Sequence, residues 1–146
     1  MSLKIGDRIP DWSLVGPDDG LIHISDFKKP LVLILLRHLA WIACRAHLGE
    51  VQGSYDQIRA LGSEVLVISF DIPEHVDVYR ESNGFPFPVL SDPERNSYQA
   101  LGIRRTSWKT MLKLDVIGRY LKLMIRGWLP PSKMKMSDVY QLGGDV

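Results

Sequence analysis

The run Leu31-Val32-Leu33-Ile34-Leu35-Leu36 is the feature that most limits what this chain can become. It is apolar at every position, so a strand built from it has two faces to bury. Such a strand belongs in the middle of a sheet covered by helices on both sides, whereas a sheet wet on one face would show alternation. The segments after it have the matching periods. Beyond a turn at 37–43, apolar residues recur at Cys44, Leu48, Val51, Tyr55, Ile58 and Leu61, with Arg45, Glu50, Asp56 and Arg59 off that line. This spacing predicts an amphipathic helix ending at Gly62. Residues 65–70 read as a second buried strand, 74–83 as a helix stopped by Gly84, and 87–90 as a third, short strand.

Ser91-Asp92-Pro93-Glu94 reads as a helix start. Asp92 can cap free backbone N–H groups, Pro93 fits the first helical position and Glu94 suits the positive end. That helix is expected to run to Leu101 and stop at Gly102. Upstream, Gly16-Pro17-Asp18-Asp19-Gly20 separates two short apolar stretches at 12–15 and 21–24, the pattern of a hairpin with a polar tip. Alternating strands and helices demand right-handed crossovers and a mostly parallel sheet, so the class is α/β.

A chain of 146 residues makes one domain, here taken as 1–146, with room for a sheet and two helical layers. A net charge of +1 creates no long-range field toward nucleic acid. One cysteine excludes an intrachain disulfide, and the first residues show no apolar signal core, which sets a reducing, cytoplasmic compartment as the expectation. No apolar run is long enough for a transmembrane segment.

The charge is unevenly spread. Residues 1–103 hold nine basic and fourteen acidic side chains, whereas 104–138 hold nine basic and two acidic, a local surplus of seven positive charges. Trp108, Met111, Leu112, Ile117, Tyr120, Leu121, Met124, Ile125 and Trp128 are threaded through this basic stretch at roughly helical spacing, with Pro130-Pro131 stopping it. One long basic amphipathic helix with a kink at Gly118 is expected. Its apolar side would cover the sheet, with solvated charge outward and the acidic body as its counterpart. The other reading is a membrane-surface or anionic-partner element.

Several segments together resemble one family. Gly6-Asp7-Arg8-Ile9-Pro10-Asp11-Trp12-Ser13-Leu14, then Ile24-Ser25-Asp26-Phe27, then Phe87-Pro88-Val89-Leu90-Ser91-Asp92-Pro93 and Tyr98-Gln99-Ala100-Leu101-Gly102, resemble the peroxiredoxin branch of the thioredoxin fold. The segment from Arg37 to Leu48 resembles the peroxiredoxin-like AhpC/TSA antioxidant subgroup, whose pattern is R-H-x-x-C-x-x-C-R-x-x-L. Trp41 stands at the first cysteine position and Cys44 at the second. Gln141-Leu142-Gly143-Gly144 resembles the lead into that subgroup's last two strands and closing helix. The resemblance therefore implies that 104–138 is an insertion and that the final strand hairpin and helix are missing. An unfinished sheet of this kind is expected to pair with another copy as a homodimer or other homo-oligomer.

A thiol reduces peroxide as its thiolate, so a site must stabilise negative sulfur and the departing oxygen. A helix N-terminus does the first and an arginine does both. Arg37 and Arg45 flank the turn, and His38 lies at its entrance. In the family the first cysteine attacks; Trp41 has no nucleophile, which leaves Cys44 as the only redox candidate. Cys44 is also in register with Leu48 and Val51, as a small buried hydrophobe would be. His38, Cys44 and His47 have no established metal spacing, and His23, His47 and His75 read as surface residues. The resemblance implies a thiol-dependent antioxidant or oxidoreductase with a peroxide or disulfide substrate, an external thiol reductant and no cofactor. The alternative is a degenerate, non-catalytic thioredoxin-fold module that binds a protein partner or an anionic surface. Arg104-Arg105 bears a loose likeness to the arginine that assists the thiolate in peroxiredoxins.

Overall fold

The computed structural model describes residues 4–37, 42–105, 114–127 and 143–145. The N-terminal hairpin is β1 (Ser13–Val15) and β2 (Leu21–His23), closed by a 3-10 turn at Pro17–Asp19. Next come β3 (Leu31–Leu35), α1 (Ile42–Ala60), β4 (Glu64–Ser69), α2 (Pro73–Asn83), β5 (Val89–Ser91) and α3 (Asn96–Ala100). The last described elements are α4 (Leu114–Ile125) and β6 (Gly144–Asp145).

These strands form one sheet in the order β2-β1-β5-β4-β3-β6. Its centre is parallel: β3 pairs with β4 from Leu31 opposite Glu64 to Leu35 opposite Ile68, and β4 pairs with β5. Both edges are antiparallel, through the hairpin on one side and β6 on the other. The doubly apolar run of β3 divides as a central strand must. Ile34 and Leu36 join Val65, Val67, Leu48, Tyr55, Val76 and Tyr79 on the face covered by α1 and α2. Leu33 and Leu35 join Leu66, Ile68, Trp12, Leu14, Tyr98 and Leu101 on the opposite face. This is the α/β thioredoxin-like layering expected from the residues.

Two local expectations change. The third helix begins at Asn96 rather than at Pro93. Residues 92–95 instead make a turn, with the Arg95 N–H on the Asp92 carbonyl at 2.9 Å and Arg95 itself at φ 61°. Asp92 still caps, but from a distance: its carboxylate accepts the N–H groups of Asn96 at 3.0 Å and Ser97 at 2.8 Å, and the Ser97 hydroxyl. These bonds hold Arg95 in a conformation that costs a side-chain-bearing residue about 1–2 kcal/mol. By contrast α2 ends as expected, with Gly84 at φ 58° and its N–H on the Arg80 carbonyl.

The basic helix also departs from expectation. Within the described residues it runs from Leu114 to Ile125, through Gly118, and packs against α1. Four of its apolar residues, Ile117, Leu121, Met124 and Ile125, are exposed rather than packed on the sheet. The helix sits against another helix rather than on the sheet, which leaves part of its wide apolar arc facing outward. Residues 106–113 and 128–138 of the basic stretch lie outside the described residues.

Candidate active site

In a parallel sheet the chemistry collects at the carboxyl ends of the strands, and here those ends carry the polar residues. β3 leaves the sheet at Leu36, whose N–H donates to the Ile68 carbonyl at 2.8 Å, and passes to Arg37. β4 leads into Ser69, Phe70 and Asp71, and β5 into Ser91 and Asp92. Ser69, Asp71, Ser91, Asp92 and Ser97 are all buried. The Ser69 hydroxyl donates to the Asp71 carboxylate and accepts the Asp71 N–H, both at 3.2 Å. The Ser91 hydroxyl donates to the Asp71 carbonyl at 2.6 Å, and the Asp92 N–H to the Ser69 carbonyl at 2.7 Å. Buried polar groups survive when they satisfy one another, and this network ties the exits of β4 and β5 together.

Tyr98 completes the tie to β3. Its buried hydroxyl lies 2.6 Å from the Leu36 carbonyl and 3.1 Å from the Ile68 carbonyl, at the point where β3 hands the chain to the site turn. The ring is held edge-on by Phe70 at 5.7 Å, and the Arg95 guanidinium lies over Phe70 at 4.8 Å. Burial pushes the Tyr98 phenol well up, and the negative charges of Asp92, Cys44 and Asp71 push it further.

Cys44 lies in the first turn of α1, half-buried, and packs against the cluster that holds Leu48, Ile34 and Leu36. Arg45, also half-buried, is bonded through its guanidinium to the Tyr79 phenol of α2. Burial raises the Tyr79 pKa above its ordinary value. Arg45 opposes that rise, and negative charge at Cys44 adds to it. Tyr79 is itself seated in an aromatic row, with Phe85 at 5.6 Å and Phe87 stacked on Phe85 at 5.2 Å. Cys44 is thus coupled electrostatically to two buried phenols from opposite layers, with an arginine cation beside one of them.

Of the site residues expected from the sequence, Arg37, Cys44 and Arg45 are described and stand at the carboxyl end of β3 or in the first turn of α1. His38 and Trp41 lie outside the described residues. Arg104 and Arg105 are exposed, as is His23, whose ring nitrogen is 3.5 Å from Asp11. His47 and His75 are half-buried rather than surface residues. No group of three or more His, Cys, Asp or Glu among the described residues is placed to hold a metal ion. Sequence reading passes over Tyr79, Tyr98 and Asp71 as site residues. Tyr79 sits three residues after Val76 and reads as core, and the signal for Tyr98 is only its place in a family segment.

The sheet, with a cysteine in the first turn of the helix after its central strand, has the thioredoxin-like layout. The AhpC/TSA family's sequence model matches residues 5–119, and the chain belongs to that family. It is 28% identical over 106 residues to peroxiredoxin bcp1 of Schizosaccharomyces pombe, covering 71% of this chain and 54% of that protein. It is 23% identical over 125 residues to peroxiredoxin-like 2C of Takifugu rubripes, covering 79% of this chain and 55% of that one. The chain therefore spans about half the length of these relatives. Among solved structures, peroxidoxin BcpB of Mycobacterium tuberculosis superposes with a TM-score of 0.64 at 19% identity, covering 70% of this chain and 68% of that one. That likeness shows the fold.

Proposed function

We propose that this protein is a peroxiredoxin-like thiol-dependent oxidoreductase in which Cys44 is the redox residue. The observation that carries this reading is the seat of Cys44, in the first turn of α1 at the carboxyl end of the central strand, with Arg45 adjoining it. The positive end of the helix dipole favours a thiolate there. Cys44 attacks one peroxide oxygen: an S–O bond forms, the O–O bond breaks, and the departing oxygen takes a proton to leave as water or alcohol. Cys44 is left as a sulfenic acid. An external thiol attacks that sulfur, water leaves, and a second thiol reduces the mixed disulfide. External thiols are required because the chain has one cysteine. Against a disulfide substrate the same thiolate acts by exchange. In this reading Arg37, His38 and Arg45 stabilise charge around the sulfur, Trp41 occupies the place of the usual attacking cysteine, and the chain works as a homo-oligomer in the reducing cytoplasm.

One observation favours the alternative of a non-catalytic binding module. Cys44 packs on the same cluster as Leu48 and Val51, as a small core hydrophobe would. The two readings separate in a direct experiment. Alkylation of Cys44 is followed against pH, and peroxide consumption is compared between the native chain and Cys44→Ser. The enzyme reading expects an alkylation midpoint below the ordinary thiol value of about 8.5 and peroxide consumption abolished by the substitution. A midpoint at or above that value, together with peroxide consumption that Cys44→Ser leaves unchanged, selects the binding module.

A further inference from the structure

We propose that α4 is a docking element that lies flat on an anionic lipid surface. Ile117, Leu121 and Ile125 recur every four residues and Met124 adjoins them, so the four share one face. They are exposed to 42%, 56%, 87% and, for Met124, 42%. Outward-facing apolar side chains of this size on one stripe signal an interaction surface. Arg119 and Lys122 are exposed on the polar arc of the same helix, Arg126 is exposed directly after it, and Asp115 is the helix's only acidic residue. An apolar stripe with a cationic opposite arc is the composition of helices that rest in the headgroup layer.

The dimensions fit lying rather than spanning. Twelve residues make about 18 Å of helix, short of the roughly 30 Å hydrocarbon core. No described helix is long and apolar enough to cross a membrane. A second copy of the chain is a poorer occupant: a strip about 18 Å by 10 Å offers a small fraction of the ~800 Å² that each partner contributes to a standard protein interface. A lipid surface needs no complementary shape and offers anions to these cations. The rest of the chain supports the same orientation. Residues 1–103 carry five more acidic than basic side chains and 104–138 seven more basic than acidic, so an anionic surface repels the body and attracts the segment that contains α4.

The test uses the full 146-residue chain in sedimentation with two kinds of vesicle: pure phosphatidylcholine, and phosphatidylcholine with roughly one third phosphatidylserine. Binding to the anionic vesicles is expected to exceed that to the neutral ones at least about tenfold and to weaken with salt. The pair Ile117→Asp with Leu121→Asp, and separately the pair Lys122→Glu with Arg126→Glu, should each lower it about tenfold or more. Both act at exposed positions, so their thermal melts should match the native one; should either misfold, the other carries the test. Equal partition to both vesicles, or none to either, overturns the proposal. So does a concentration-dependent dimer abolished by the apolar pair without any vesicle binding, which assigns the stripe to a second copy. These readouts do not depend on whether Cys44 is reactive.

Discussion

Replacing Tyr98 with Phe isolates the hydrogen bonds that close the site end of the sheet. The ring stays, so the edge contact with Phe70 at 5.7 Å is kept and no cavity opens. Only the hydroxyl goes, and its two acceptors fare differently. The Ile68 carbonyl retains the Leu36 N–H at 2.8 Å, whereas the Leu36 carbonyl loses the Tyr98 donor at 2.6 Å. One buried acceptor stripped of that donor, beside a second that keeps a partner, costs about 1–3 kcal/mol. In a domain of this size that lowers the melting temperature by roughly 2–4 °C per kcal/mol. Urea unfolding followed by far-UV circular dichroism should show a lower midpoint with an unchanged m-value. Because Leu36 begins the segment that leads to Arg37, alkylation of Cys44 should change as well. A stability loss below about 0.5 kcal/mol, the size of an ordinary surface substitution, would refute the view that this hydroxyl holds the strand exit.

Two further outcomes are expected from the same geometry. Tyr79 and Tyr98 both have raised pKa values in the folded chain, so above about pH 10 the unfolded state releases protons that the native state keeps. Stability should be full below that pH and fall above it by up to about 1.4 kcal/mol per pH unit for each phenol, and Tyr79→Phe or Tyr98→Phe should each flatten the slope accordingly; an alkaline limb identical in all three proteins would contradict this. At Gly143 a Cβ would stand 2.8 Å from the Arg37 nitrogen and closer still to the Leu35 carbonyl oxygen, both rigid backbone. Gly143→Ala should lift β6 from β3 and cost about 1–3 kcal/mol, seen as faster amide exchange at Leu35, which faces β6, and unchanged protection there would show that the approach is not close.

The parts of the fold legible in the sequence are those where one physical rule acts without competition. Leu31–Leu36 can be read as a central strand because burial on both faces leaves no other use for such a run, and Gly84 ends its helix because its φ of 58° is one that few other residues accept. The start of α3 is misplaced by sequence reading because two rules compete there. Pro93 and Glu94 favour a helix, but the Asp92 N–H is held on the Ser69 carbonyl while its carboxylate accepts the Asn96 and Ser97 N–H groups, so the chain turns through Arg95 before the helix begins. That preference depends on β4 and β5 lying side by side, which no local window contains.

The site is legible in its cysteine and arginines and opaque in its tyrosines for the same reason. Arg37, Cys44 and Arg45 belong to one continuous strand-to-helix segment, and their chemistry is stated by their types. Tyr79 and Tyr98 come from other helices, on opposite faces of the sheet, and an aromatic residue at helical spacing is indistinguishable from core until the fold is closed. Closure also changes what those phenols do. Each is buried with its hydroxyl directed at a group of the site, Tyr98 at the exit of β3 and Tyr79 at Arg45, so neither is only packing. Burial raises both phenol pKa values, and negative charge at Cys44 adds to the rise.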